Sequence, residues 1–288
     1  MTIHHLDCAS MCPVGGRLLL GSGGLLTGRM VAHCLLVESS DGLTLVDTGF
    51  GTADVADPHR LGRPFLAMMR PRLSPARTAL HQVRALGYRP EDVRHIVLTH
   101  LDLDHAGGLA DFPQAQVHVF AEELRAARAR ATRGERDRYR PAQWAHGPRW
   151  AEHGTGGESW FGFEAVRPVT GSDPEILLIP LAGHTRGHVG VAVRRGDGWL
   201  LDCGDAYFSH TEVDPAGPHR PPGLTAFQRL VATDNRARLH NQERLRGLRA
   251  EHAAEVELFC AHDPYEFDRL RTGAARTVSG RPAGGTGC

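Results

Sequence analysis

Apolar and polar positions alternate along the chain in short runs separated by glycine-containing turns. The run "HCLLVES" meets the turn "DG" and continues as "LTLVDTG", a pattern that predicts a β-hairpin. Downstream, "ARTALHQVRALG" spaces Leu80, Val83 and Leu86 at nearly helical intervals and sets Gly87 where a helix would stop. That helix leads into "HIVLTH", a strand of the buried type. "VHVF" predicts a further strand, and "AEELRAARARATRGERDRYR" a charged helix with one solvated face. From residue 176 strand patterns return in "EILLIPL", "VGVAVRR" and "WLLDCGD", joined by the turns "AGHTRGH" and "GDG", with "VELFCAH" as the last strand. The segments "DGLTLVDTG" and "DGWLLDCGD" share a turn, an apolar strand and an Asp-x-Gly ending. Asp47 and Asp202 therefore occupy matching places, which suggests two related lobes about a shared interface.

Residues 141 to 164 break the pattern, with three of the four tryptophans set among glycines and prolines. They read as an irregular loop or lid, with two open roles: covering a sheet edge or walling a substrate pocket. Residues 1–270 are expected to form a single domain, and 271–288, small and polar, a flexible tail.

Composition narrows the chemistry. A chain of 288 residues with 41% hydrophobic and 23% charged residues has enough material for a sizeable core. Its 33 basic residues balance 33 acidic ones, so no net field draws in nucleic acid or an anionic membrane. All the basic residues are arginine, which removes Schiff-base chemistry and a phosphate-loop lysine. The six cysteines are scattered without a C-x-x-C pair, which argues against a thiolate zinc knuckle or a disulfide scaffold. The amino terminus lacks a basic segment followed by a long apolar stretch, and the expected location is cytoplasmic.

The densest ionisable segment is "LTHLDLDHAGG", where His100, Asp102, Asp104 and His105 follow a buried-type strand. Ligand groups in α/β proteins commonly sit at strand carboxyl ends. His188 lies in a glycine-bounded turn between strands, and Asp205 and His262 follow two others. His4, His5, His59, His95, His118 and His240 lack such a context.

These residues resemble the metallo-β-lactamase-fold hydrolases, whose ordered pattern is T-H-x-H-x-D-H, then G-H-T-x-G-H, then G-D, then a late histidine. The resemblance spans about residues 30 to 265 and implies an α/β fold, a four-layer αββα sandwich of two mixed sheets flanked by helices. It also implies two divalent metal ions, one held by His100, Asp102 and His188, the other by Asp104, His105 and His262, with Asp205 bridging. Asp47 would support the metal loop from behind, and His184 would steady its turn. Asp102 departs from the pattern, standing where the family usually has histidine. Its hard oxygen donor favours iron or manganese relative to a histidine-rich site, with zinc still the first expectation.

The implied activity is hydrolysis of a small ester-like substrate, a lactone or carboxylic ester, by a metal-bridging hydroxide. Asp104 would relay its proton, and Tyr207 would donate to the developing oxyanion, although the lactonases of the family carry their tyrosine one place later, where this chain has Phe208. Two other readings stay open: a diiron-type redox enzyme, and a metal-containing effector that binds a ligand without turnover. The expected partner is a small molecule, with neither nucleic acid nor membrane.

Overall fold

The computed structural model describes residues 2–21, 24–154, 156–169 and 175–275. Among the described residues, twelve strands form two six-stranded sheets. The first contains β1 (Ile3–Asp7), β2 (His33–Ser39), β3 (Gly42–Val46), β4 (Val93–Val97), β5 (Gln116–Phe120) and β6 (Arg149–His153), side by side in that order. The second contains β7 (Glu158–Trp160), β8 (Phe163–Pro168), β9 (Ile176–Pro180), β10 (Val189–Arg195), β11 (Gly198–Asp202) and β12 (Val256–Phe259), also in sequence order. The hairpin expected at "DG" is the antiparallel β2–β3 pair. β3, β4, β5 and β6 then run parallel.

Period-two burial assembles the layers. In β2, Leu35 and Val37 join one cluster, and Cys34 and Leu36 point the other way into a second. The first cluster also holds Ile176, Leu178, Val191 and Leu200 of the second sheet, so it is the seam between the sheets. Cys34 and Leu36 pack instead with Ala79, Val83 and Leu124, from helices on the outer face. Leu177, Ile179 and Leu201 meet Leu245 and Leu248 of the helix Asn235–Glu251 on the opposite outer face. Helix, sheet, sheet and helix therefore stack as the expected αββα sandwich, each fully buried aliphatic side chain contributing roughly 1.5–3 kcal/mol.

The two halves echo one another. β11 pairs antiparallel with β10 and parallel with β12, as β3 does with β2 and β4. Because of these directions, the loops after β3, β4, β9, β11 and β12 reach the same edge of the sandwich.

Three segments differ from the sequence expectation. The charged stretch 121–140 is two helices, Ala121–Ala129 and Arg133–Arg138. Arg130 takes a left-handed conformation (φ 43°) that ends the first, and Thr132 starts the second through a reciprocal cap with Glu135. The tryptophans of 141–164 serve the core: Trp144 and Trp150 pack on the outer face of the first sheet, and Trp160 meets Trp199 edge-on with ring centroids 5.6 Å apart. Residues 271–275 continue the helix Pro264–Ala275, and the rest of the expected tail lies outside the described residues. Among the described residues no helix is long and apolar enough to cross a membrane.

Candidate metal centre

The loop after β4 is held from behind by Asp47. This residue sits at φ 55°, a left-handed conformation that turns its carboxylate back toward the loop. One oxygen accepts the Thr99 amide at 2.9 Å, and the other accepts the Thr99 hydroxyl and His105 Nδ1, both at 2.7 Å. With Nδ1 donating to Asp47, His105 presents Nε2 to the cleft as a lone pair. His262 is fixed in the same way, its Nδ1 donating to the Val31 carbonyl at 2.7 Å.

Asp205 lies at the centre. Its Oδ2 is 3.8 Å from His100 Nε2 and 3.2 Å from His184 Nε2. Its Oδ1 is 3.3 Å from His105 Nε2 and 3.0 Å from His262 Nε2. A single carboxylate thus addresses one histidine pair with each oxygen. Asp102 joins the first pair, with Oδ2 3.4 Å from His100 Nε2 and 3.0 Å from His184 Nε2. Asp104 joins the second, 3.6 Å from His262 Nε2.

The structure places His184 and His188 differently from the sequence expectation. His184 points into the cleft beside Asp102 and Asp205. His188 lies behind the cleft, its Nδ1 donating to the Leu181 carbonyl at 3.2 Å and its Nε2 accepting the Asp205 amide at 2.9 Å. The lone pair a cation would need is therefore occupied by a backbone N–H. Burial, together with neighbouring His100 and His184, pushes the His188 pKa well below its usual value, as a neutral acceptor requires.

Two residues that the sequence did not flag complete the support. Arg138, at the end of the short helix Arg133–Arg138, donates to Asp102 Oδ2 at 3.1 Å and also to the Val231 carbonyl. Burial opposes ionisation of Asp102, but the Arg138 cation and His100 outweigh it and hold the carboxyl well below its usual range. The extra negative charge at position 102 is therefore compensated within the protein. Burial and the same cation push the His184 imidazole down to about 4, which leaves it neutral. Glu123 is fully buried on the helix Ala121–Ala129 and accepts the Leu101 amide at 3.0 Å, the Gly187 amide at 3.1 Å and the Tyr139 hydroxyl at 3.1 Å. It ties the metal loop to the His184–His188 turn. A Cβ on Gly187 would lie 2.1 Å from the Glu123 backbone nitrogen, so this close approach requires glycine.

Tyr207 does not face the cleft. It is fully buried, and its hydroxyl lies 3.2 Å from both carboxylate oxygens of Glu266, a group that burial and Asp263 raise to about 7. Phe208, the next residue, lines the cleft instead. We expect Tyr207→Phe to lower stability by about 1–2 kcal/mol through the lost buried hydrogen bond, and to leave turnover within twofold. Urea unfolding alongside steady-state rates checks this; a large fall in kcat at unchanged stability would return Tyr207 to the reaction.

Several buried polar atoms aimed into the cleft have no hydrogen-bond partner: His100 Nε2, His105 Nε2, Asp102 Oδ1 and Asp205 Oδ1. The donors fall into two groups, His100, Asp102, His184 and Asp205, and Asp104, His105 and His262, with ligand atoms in each group within 4.8 Å of one another. Imidazole nitrogen with carboxylate oxygen suits divalent first-row cations. Asp102, His184 and Asp205 of the first group and Asp104 and His262 of the second line a cavity of about 940 Å³, with an apolar wall of Met30, Phe65, Met69, Phe208 and Phe227 and a polar wall drawn from residues 132–140. None of the described residues of 141–164 lines it.

The same fold recurs in known proteins. A family model described as the metallo-beta-lactamase superfamily matches residues 27–252. Over 270 residues the chain is 45% identical to a protein of Mycobacterium tuberculosis (strain ATCC 25618 / H37Rv) named "Probable metallo-hydrolase", covering 93% of this chain and 82% of that one. It is 31% identical over 112 residues to the N-acyl homoserine lactonase of Bacillus cereus, covering 38% of this chain and 44% of that one. The solved structure of an N-acyl homoserine lactone hydrolase, with N-hexanoyl-L-homoserine bound at its catalytic metal center, shares the fold. Its TM-score is 0.69 at 19% identity, over 93% of this chain and 97% of that one. With the family model spanning most of the sandwich and a metallo-hydrolase matched along nearly the whole chain, this protein belongs to the metallo-beta-lactamase superfamily, as one of its metallo-hydrolases.

Proposed function

We propose that the protein opens a small ester-like bond, a lactone or a carboxylic ester, with a pair of divalent cations, zinc first among them. The placement of Asp205 carries this reading: its two oxygens each face a separate histidine pair, as a ligand shared by two cations must. His100, Asp102 and His184 would hold one cation and Asp104, His105 and His262 the other. When bound, such cations supply Lewis acidity and bring the pKa of water down toward ~7.

The chain's own residues supply position and proton transfer. The Asp47 and Val31 contacts fix the tautomers of His105 and His262, so each is ready to bind without reorganisation. Asp104, 3.6 Å from His262, would take a proton from the attacking water and return it to the leaving oxygen. Phe65, Phe208 and Phe227 would hold the apolar part of the substrate and exclude bulk water. Compensation of Asp102 by Arg138 makes that position resemble the neutral histidine usual in the family, which keeps zinc ahead of iron or manganese.

The test is turnover of a panel of neutral lactones, esters and thioesters by zinc-loaded protein. Hydrolysis that stops on chelation and returns with zinc is the expected result. No hydrolysis across the panel by protein carrying two zinc ions would refute the reading.

A further inference from the structure

Arg138 is the last residue of the short helix, and Tyr139 and Arg140 follow it as the chain leaves. Tyr139 turns inward to Glu123, and both arginines line the cavity.

The cavity's arginines differ in what neutralises them. Arg138 pairs with Asp102 at 3.1 Å, Arg186 with Glu135 at 2.6 Å, and Arg133 with Asp137 at 3.8 Å. Among the described residues no carboxylate pairs with Arg140. Its Nη2 reaches the Leu61 carbonyl at 3.4 Å, and its Nε is buried without a partner. This guanidinium is partly buried yet uncompensated, in the cavity that also exposes the metal-binding groups. Gly62 makes room for it, since a Cβ there would lie 2.9 Å from Arg140 Nη2.

We propose that Arg140 binds a free carboxylate on the substrate, distinct from the bond that is cleaved. A planar guanidinium matches a carboxylate with two parallel hydrogen bonds, and partial burial strengthens them. Phe65, Met68 and Leu230, also in the lining, would accept the aliphatic arm joining that carboxylate to the ester. The substrate class is thus an ester or lactone carrying an anionic end group. The inference rests on the reading that this cavity receives the substrate of a hydrolase.

Binding without turnover separates the two ideas. Isothermal titration of the protein as isolated with adipate and with hexanoate compares acids of equal length that differ by one terminal carboxylate. We expect adipate to bind about tenfold more tightly, and Arg140→Met to bring adipate to the level of hexanoate. Arg140→Lys should recover only part of the preference, and thermal unfolding should match wild type for both variants. Equal affinities in wild type, a preference that survives Arg140→Met, or binding of neither acid overturns the proposal. Turnover of the neutral ester panel bears only on the hydrolase reading, so the two can fail independently.

Discussion

Asp205→Ala should strip the protein of metal and abolish turnover. One carboxylate lies within reach of four imidazoles, oxygen by oxygen, and each proposed cation would lose an anionic ligand at once. Metal content by elemental analysis should fall from two per chain to less than one, and the rate by on the order of a thousandfold or more. Asp205→Asn is the sharper variant, because it keeps the shape and the amide hydrogen bond to His188 while removing the charge. It should retain the fold by circular dichroism and still lose at least one cation. Two tightly held metal ions in both variants would show that Asp205 is not a shared ligand.

Much of this site was legible because its information is local. The strands announced themselves by two-residue alternation, and the sheets bury them on that alternation, as Leu35 and Leu36 show by pointing to opposite faces. His100, Asp102, Asp104 and His105 fall in one loop, so their proximity follows from the chain. Asp205 and His262 could be found because each leaves a buried-type strand, and parallel and antiparallel pairing brings those exits to one edge.

What escaped depends on contacts between distant segments. Arg138 reaches Asp102 because the helix breaks at Arg130, and arginine, a good helix former, gives no sign of a left-handed conformation. Glu123 sits in a run that reads as solvated, yet is fully buried because three donors from two loops and Tyr139 converge on it. Tyr207 and Phe208 differ by one position after β11, and which enters the cleft is decided by Glu266, which draws Tyr207 inward.

The placement of His184 in the cleft and of His188 behind it gives the second large effect. Two histidines four residues apart in one turn carry identical chemistry, and the partner that separates them is a backbone amide far along the chain. His184→Ala should lose the cation proposed at His100 and Asp102 while keeping the other, halving metal content and cutting turnover by at least a hundredfold. His188→Ala should keep both cations. Its cost lies in the unsatisfied Asp205 amide and the space left behind, about 1–3 kcal/mol of stability with a modest loss of rate as the Asp205 carboxylate loosens. His188→Gln, whose side-chain carbonyl can accept that amide, should recover part of the loss, whereas His184→Gln should not restore the metal. If His188→Ala loses a cation and His184→Ala keeps both, the ligand is His188 and the Asp205 amide finds another acceptor in the loaded protein.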